Sequence, residues 1–364
     1  MIKKSVLFIL LIITNSLVFA DSIRPERLLR IIGGTVSTEY SAPWMASLIW
    51  TNSSSVVVCG ASLIHPSWVL TSAHCVINEN INSIHISLGR KNVVEEKGDI
   101  VDIEEIIIHP RFFIDSFNTP FNDIALLRLK EPSDHPIVKL PDEESSFVRS
   151  LEQATLYGWG TTSSDLDNPI YPVKLHQVNL PIITNDACND SYDNIVEDTM
   201  LCAGFQQGGA DGCIGDSGGP LVIRNLSGSY QVGISSFGNG CAEENFYGIY
   251  TRVTAFTDFI QQHICETPVT PPSLNVITEN NQATLYWEDN NTQADGYWVY
   301  YTPFSSPITQ ETLDSIQSID ITQQAYFKTY VPANNQYYVA VRSYHNNCLS
   351  DLSNVEVIGA PMTQ

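Results

Sequence analysis

The stretch Gly215-Asp216-Ser217-Gly218-Gly219-Pro220 decides how the rest of the chain reads. A serine that follows an aspartate and precedes two glycines sits on a tight turn, where it can serve as a nucleophile. A serine hydroxyl is weakly nucleophilic at neutral pH, so this reading requires a histidine to take its proton and a carboxylate to orient the histidine. Both lie upstream. His74 is in Thr71-Ser72-Ala73-His74-Cys75, and Asp123 is in Asn122-Asp123-Ile124-Ala125-Leu126-Leu127. The hexapeptide alone could be a glycine-rich turn without chemistry; three motifs in a fixed order argue against that.

With His74, Asp123 and Ser217 in this order, the chain resembles the trypsin and chymotrypsin family of serine proteases. The resemblance implies an all-β fold of two six-stranded antiparallel barrels, with the triad in the cleft between them and a short helix at the end. Short β-branched and aromatic runs broken by Gly, Pro, Asn and Asp between Ile31 and Glu266, as at Ser55 to Val58, Trp68 to Thr71 and Gln231 to Ile234, fit an all-β domain. Helical spacing of Phe256, Phe259, Ile260 and Ile264 predicts a helix over Thr254 to Ile264. By resemblance, His74 is general base and then general acid, Asp123 holds the imidazole tautomer, and the N–H groups of Gly215 and Ser217 form the oxyanion hole. No cofactor is implied. His65, His85, His109 and His135 sit in no motif.

Asp211, six residues before Ser217, stands where trypsins carry the aspartate of the specificity pocket. A buried carboxylate without a partner is costly, so such a pocket should favour a substrate Arg or Lys. Gly238 and Gly248, in Ser236-Phe237-Gly238 and Tyr247-Gly248-Ile249, match the wall glycines, and Ser236 is counted with them as substrate-binding. Tyr192 matches a tyrosine that supports the pocket, while Phe237 replaces the usual tryptophan. Calcium-binding relatives carry a glutamate after the Leu-Gly pair; here Leu88-Gly89 is followed by Arg90 and Lys91, so no metal is expected.

The chain has 364 residues, enough for two or three domains, and 43% of them are hydrophobic. Lys and Arg number 18 against 40 Asp and Glu, and the net charge of −22 excludes a nucleic-acid partner that needs basic patches. Residues 1–20 read as a secretory signal: Lys3 and Lys4, an apolar run from Val6 to Ile13, and an exit at Val18-Phe19-Ala20. The run is short for a membrane span, and the mature protein is expected outside the cell; a membrane-anchored N-terminus is the alternative. Residues 21–30 lead into Arg30-Ile31-Ile32-Gly33-Gly34, which looks like the family's activation site. Cutting at Arg30-Ile31 would free an ammonium to pair with Asp216, and before the cut Ile31 should lie away from it. An arginine in an ordinary loop is the plain alternative.

Eight cysteines in an exported chain point to disulfides. The resemblance pairs Cys59 with Cys75, Cys188 with Cys202, and Cys213 with Cys241. Cys265 and Cys348 are left over and are expected to pair with each other, or with another molecule. After the domain 31–266, the proline-rich stretch 267–272 reads as a linker. Residues 273–364 alternate with period two at Ala283 to Trp287, Tyr297 to Tyr301 and Tyr337 to Ser343, and resemble a fibronectin type III sandwich with Tyr337 as a candidate tyrosine corner. Its aromatics are expected to pack in its core, with a protein or glycan contact face as the alternative. Two functions are weighed: an exported trypsin-like endopeptidase acting on proteins and peptides, and a binding protein whose protease fold is inactive.

Overall fold

The computed structural model describes residues 31–38, 41–50, 59–142, 151–266, 269–288 and 293–359. The signal and leader with Arg30, the run at Ser55 to Val58, and Thr267 and Pro268 of the linker lie outside the described residues. The first barrel closes through Met45–Trp50, Cys59–His65, Trp68–Thr71, Ala125–Leu129, Asp99–Ile108 and Ile84–Leu88, in that spatial order. Strands such as Ile84-His85-Ile86-Ser87-Leu88 turn alternate side chains inward, and Ile84, Ile86 and Leu88 meet Leu48, Leu63, Val69 and Leu127 in a dry core.

A second barrel closes through His176–Ile183, Gln153–Gly158, Pro220–Asn225, Gly228–Phe237, Gly248–Arg252 and Met200–Ala203. Ile31, Leu156, Leu180, Leu221 and Val232 form its core. Both barrels have six antiparallel strands, as the family fold requires. The crossover between them pairs with both: Val138 N donates to Leu63 O of the first (2.9 Å), and Lys139 N to Ser229 O of the second (3.1 Å).

The terminal helix begins with a 3₁₀ turn, Val253–Phe256, and continues as an α-helix over Thr257–Ile264. Phe256, Phe259, Ile260 and Ile264 pack against Ile64, Trp68, Val138 and Ile234, so one helix face covers the seam between the barrels. Short helices also occur at Asn185–Asn189, capped by Thr184, and at Gln310–Asp314, capped by Thr309.

Beyond the helix, Ser273–Glu279, Gln282–Glu288 and Tyr326–Tyr330 form one antiparallel sheet. Gln317–Asp320, Gly296–Pro303, Tyr337–His345 and Cys348–Leu349 form another, with Glu356–Ile358 added to Tyr337–His345. Leu274, Leu285 and Trp287 of the first sheet share a cluster with Tyr297, Val299, Val339 and Val341 of the second. The aromatic strand Gly296–Pro303 is buried on both faces. Its other face, with Trp298 and Tyr300, joins Tyr344 and Tyr230 of the second barrel. Part of the aromatic set therefore packs on the barrels instead of inside its own region. Among the described residues Tyr337 makes no tyrosine-corner bond to the backbone: its hydroxyl accepts from Asn335 Nδ2 at 3.4 Å.

Candidate active site

His74 lies on a single 3₁₀ turn, Ala73–Cys75, just after the strand Trp68–Thr71. The turn is tied to the strand Cys59–His65 by the Cys59–Cys75 disulfide, with Cα atoms 6.3 Å apart. Asp123 is buried, and its carboxylate receives three donors. His74 N reaches Oδ1 at 2.9 Å, His74 Nδ1 reaches Oδ2 at 2.7 Å, and Ser236 Oγ reaches Oδ2 at 2.5 Å. Thr251 Oγ1 also donates to the Asp123 carbonyl at 2.8 Å. These bonds fix the imidazole with Nδ1 toward the carboxylate, leaving Nε2 as the ring nitrogen able to take a proton. Ser236 was expected among pocket residues only; it lines the pocket and also donates to Asp123. Sequence spacing gave no signal for this bond, which crosses from one barrel to the other.

Ser217 sits on the loop that enters the strand Pro220–Asn225, and its carbonyl accepts from Gly60 N at 2.7 Å. Gly218 has φ +77°, and a Cβ there would collide with Thr71 Oγ1 and the Gly60 carbonyl, so glycine lets the Ser217 loop press against the first barrel. Ser217 Oγ has no hydrogen-bond partner among the described residues. His74 Nε2 lies 3.7 Å from Cys75 Sγ, and among the described residues no hydrogen bond joins Ser217 to His74. The backbone N–H groups of Gly215 and Ser217 have no protein acceptor among the described residues, which leaves them free for an oxyanion.

Beside Ser217 opens a cavity of about 210 Å³, walled by Cys213, Ile214, Ser236, Phe237 and Gly238 and ending at Asp211. The Asp211 carboxylate is buried and, among the described residues, accepts from two backbone donors, Gly212 N at 2.8 Å and Ala242 N at 3.2 Å. Burial lifts its carboxyl from the ordinary aspartate range to about 7, against the lowering pull of those two N–H groups. A Cβ on Gly248 would lie 2.7 Å from Asp211 Oδ1, so a side chain there would close the floor. Gly238 also lines the pocket, and a Cβ there would make only ordinary contacts, with Gly240 O at 3.7 Å and the Tyr192 hydroxyl at 4.0 Å. Tyr192 supports this wall from behind: its hydroxyl donates to Tyr247 O at 2.6 Å and accepts from Asn239 N at 3.2 Å. Tyr250, which sequence reasoning did not single out, also lines the pocket and packs against Gly248. Cys213–Cys241 joins two walls of the pocket (Cα–Cα 5.3 Å), and Cys188–Cys202 braces the segment bearing Tyr192 (6.4 Å).

Asp216 is fully buried. Gly160 N donates to its Oδ1 at 2.7 Å and Cys213 N to its Oδ2 at 2.9 Å, while Gly158 and Gly160 make room for the carboxylate because a Cβ on either would collide with it. Burial raises its carboxyl to about 6. Ile31 is buried beside Leu156, and Ile32 O accepts from Asp211 N at 3.0 Å. The Ile32 contact sets the start of this segment beside Asp211, five residues before Asp216. Cys265 and Cys348 are bonded, with Cα atoms 5.5 Å apart. Cys59, Cys75 and His74 come close together, but both sulfurs are in a disulfide and offer no thiolate to a metal.

Residues 31–260 match the trypsin family. The chain is 39% identical over 250 residues to tryptase of Mus musculus, covering 64% of this chain and 88% of that protein. It is 35% identical over 255 residues to vitamin K-dependent protein C of Oryctolagus cuniculus, covering 67% of this chain and 54% of the relative. It is 35% identical over 259 residues to serine proteinase stubble of Drosophila melanogaster, covering 66% of this chain and 32% of the relative. The chain therefore spans about half of protein C and a third of stubble. Two closed six-stranded barrels, the His74–Asp123 pair facing the Ser217 loop, and the match over residues 31–260 identify the chain as a member of the trypsin family of serine proteases.

Proposed function

We propose that the protein is an exported serine endopeptidase that cuts proteins and peptides after Arg or Lys. The observation that carries this reading is Asp211, a buried carboxylate lining a cavity beside Ser217, with backbone donors but no cation among the described residues. A guanidinium or ammonium entering the cavity would supply the missing charge, and the open wall at Gly238 and Gly248 leaves length for such a side chain.

Ser217 Oγ attacks the carbonyl carbon of the bound Arg or Lys as His74 Nε2 takes its proton. The imidazolium is stabilised by Asp123, and the oxyanion takes the N–H groups of Gly215 and Ser217. His74 then protonates the leaving amine, and water repeats the sequence on the acyl-enzyme. The chain would be made with a signal over 1–20 and a leader over 21–30, and cutting at Arg30-Ile31 would give Asp216 an ammonium partner. Residues 31–266 form the protease unit, 267–272 a linker, and 273–364 a fibronectin type III-like sandwich, a reading supported by two sheets that share one core.

The test is hydrolysis of matched peptides with Arg or Phe before the scissile bond, with Ser217→Ala as control. Arg-selective hydrolysis that Ser217→Ala abolishes is expected; no hydrolysis by the cut chain would overturn the reading and favour a binding role.

A further inference from the structure

Asn346 and Asn347 have φ of 50° and 66° and form a two-residue turn between His345 and Cys348, which pair across it. The Asn347 side chain leaves its own region entirely. Its Nδ2 donates to Ile64 O at 2.6 Å and to Val138 O at 2.9 Å, and its Oδ1 accepts from Leu140 N at 3.0 Å. Every polar atom of this buried amide is therefore spent on backbone groups of the protease domain, one on a first-barrel strand and two on the crossover.

The rest of the turn is held as firmly. Gln261 of the terminal helix donates to Asn347 O at 2.6 Å and accepts from Leu349 N at 2.9 Å, and the Cys265–Cys348 bridge lies beside it. Lys139, the next crossover residue, bonds Asp320 at 2.9 Å and the Tyr344 hydroxyl at 2.7 Å, and Tyr230 of the second barrel donates to the same Asp320. The C-terminal region thus grips the first barrel, the crossover and the second barrel at one place.

That place is connected to the chemistry. Ile64 belongs to the strand Cys59–His65, whose other end carries Gly60, the donor to Ser217 O. Ser62 Oγ, between them, donates to Gln231 of the second barrel at 2.5 Å. His74 and Asp123 stand on the first barrel and Ser217 enters the second, so the triad is assembled only when the barrels are in register. The Asp211 pocket is lined by residues from between 211 and 217 and between 235 and 250, all of the second barrel; Ser236 bonds Asp123 of the first, but Asp211 and its donors Gly212 and Ala242 lie within the second.

We propose that Asn347 is a positioning residue: the C-terminal region, through this side chain, holds the two barrels in the register that brings His74 to Ser217. The inference rests on the endopeptidase reading above for its kinetic readout. It separates two quantities that general loosening would move together, formation of the acyl-enzyme and binding of a cation in the pocket.

The experiment uses the full chain, cut at Arg30-Ile31, with the Cys265–Cys348 bridge intact. Asn347→Ala removes all three bonds; Asn347→Asp keeps the acceptor for Leu140 N and loses both donors, and serves if the alanine form does not fold. Acylation of Ser217 by a fluorophosphonate and kcat on an Arg peptide should fall ~10- to 100-fold, since small misplacements of reacting groups cost that much. Benzamidine affinity for the Asp211 pocket should stay within about twofold. Hydrogen exchange at Gly60 N–H should speed up, while strand 248–252 keeps its protection. An acylation rate within about threefold of the parent, or equal losses in acylation and benzamidine affinity, would overturn the proposal. If the parent itself neither acylates nor cleaves, the endopeptidase reading fails instead. Exchange at Gly60 then decides the positioning role, an unchanged rate refuting it.

Discussion

Replacing Asp211 by asparagine removes one charge and almost no volume, which makes Asp211→Asn the sharpest test of the pocket. Lifting the carboxyl from 3.8 to about 7 is a shift of roughly 3 units, or about 4 kcal/mol of penalty on the ionised form at about 1.4 kcal/mol per unit. A cation about 4 Å away at an effective dielectric near 20 contributes about 4 kcal/mol, enough to offset it. The variant should therefore lose ~10²- to 10³-fold in kcat/KM on an Arg peptide and little on the matched Phe peptide.

The same carboxyl sets a pH signature. Only its ionised form attracts a cation, so benzamidine should bind more tightly as pH rises, by about tenfold per unit below the midpoint near 7, and level off above it. Titrating benzamidine between pH 5.5 and 8.5 measures this directly, and Asp211→Asn should give a flat, weak profile. Binding by the parent that does not change with pH, or equal losses on Arg and Phe peptides in the variant, would refute the assignment of Asp211 as the pocket's charge.

Ser217→Ala and His74→Ala should each remove nearly all kcat, and the double variant should be little worse, because the two act as one unit; additive losses would break the triad. Ser236→Ala deletes one donor to the Asp123 carboxylate and should lower kcat about tenfold or more while leaving the ratio of Arg to Phe cleavage unchanged; a changed ratio would assign Ser236 to the pocket alone. Asp216 has a raised pKa in the uncut chain, so the folded state holds its proton more tightly and the stability this group allows falls as pH rises from about 4 to about 6. Asp216→Asn should then raise the melting temperature of the uncut chain at pH 7 but not at pH 4, and lower it once the Ile31 ammonium is free. Cys348→Ser opens a loop with a sequence separation of 83 residues, which costs about 4–5 kcal/mol in the chain-entropy picture; denaturant unfolding should show a loss of that order, while the Lys139–Asp320 and Asn347 contacts keep the regions docked.

What could be read in the sequence was local. His74, Asp123, Ser217 and Asp211 each lie within a few residues of the motif that marks them, and the alternation of Ile84, Ile86 and Leu88 reports its own strand. What could not be read depends on a second surface. Trp298 and Tyr300 alternate with Tyr297 and Val299, a pattern that says both faces of the strand are apolar without naming what covers the outer one, which is Tyr230 some seventy residues upstream. Asn is a residue type that turns favour, and the left-handed backbone of Asn347 fits that, but nothing in a turn signal tells that the side chain spans three partners elsewhere. Ser236 carried a role by position in the pocket, while its bond to Asp123 appears only when the barrels meet.

Asp211 and Asp216 are two buried carboxylates on one loop, and each lacks a cation in the described chain. The charge on Asp216 is among the causes that raise the Asp211 carboxyl, after burial itself. An ammonium freed at Ile31 and paired with Asp216 would cancel that repulsion, so the Asp211 carboxyl would ionise at lower pH in the cut chain than in the uncut one. Activation would then act on the pocket through charge as well as through loop geometry. The first cation, from the chain's own new terminus, makes the second site more fully anionic near neutral pH, and so more ready for the Arg or Lys of a substrate.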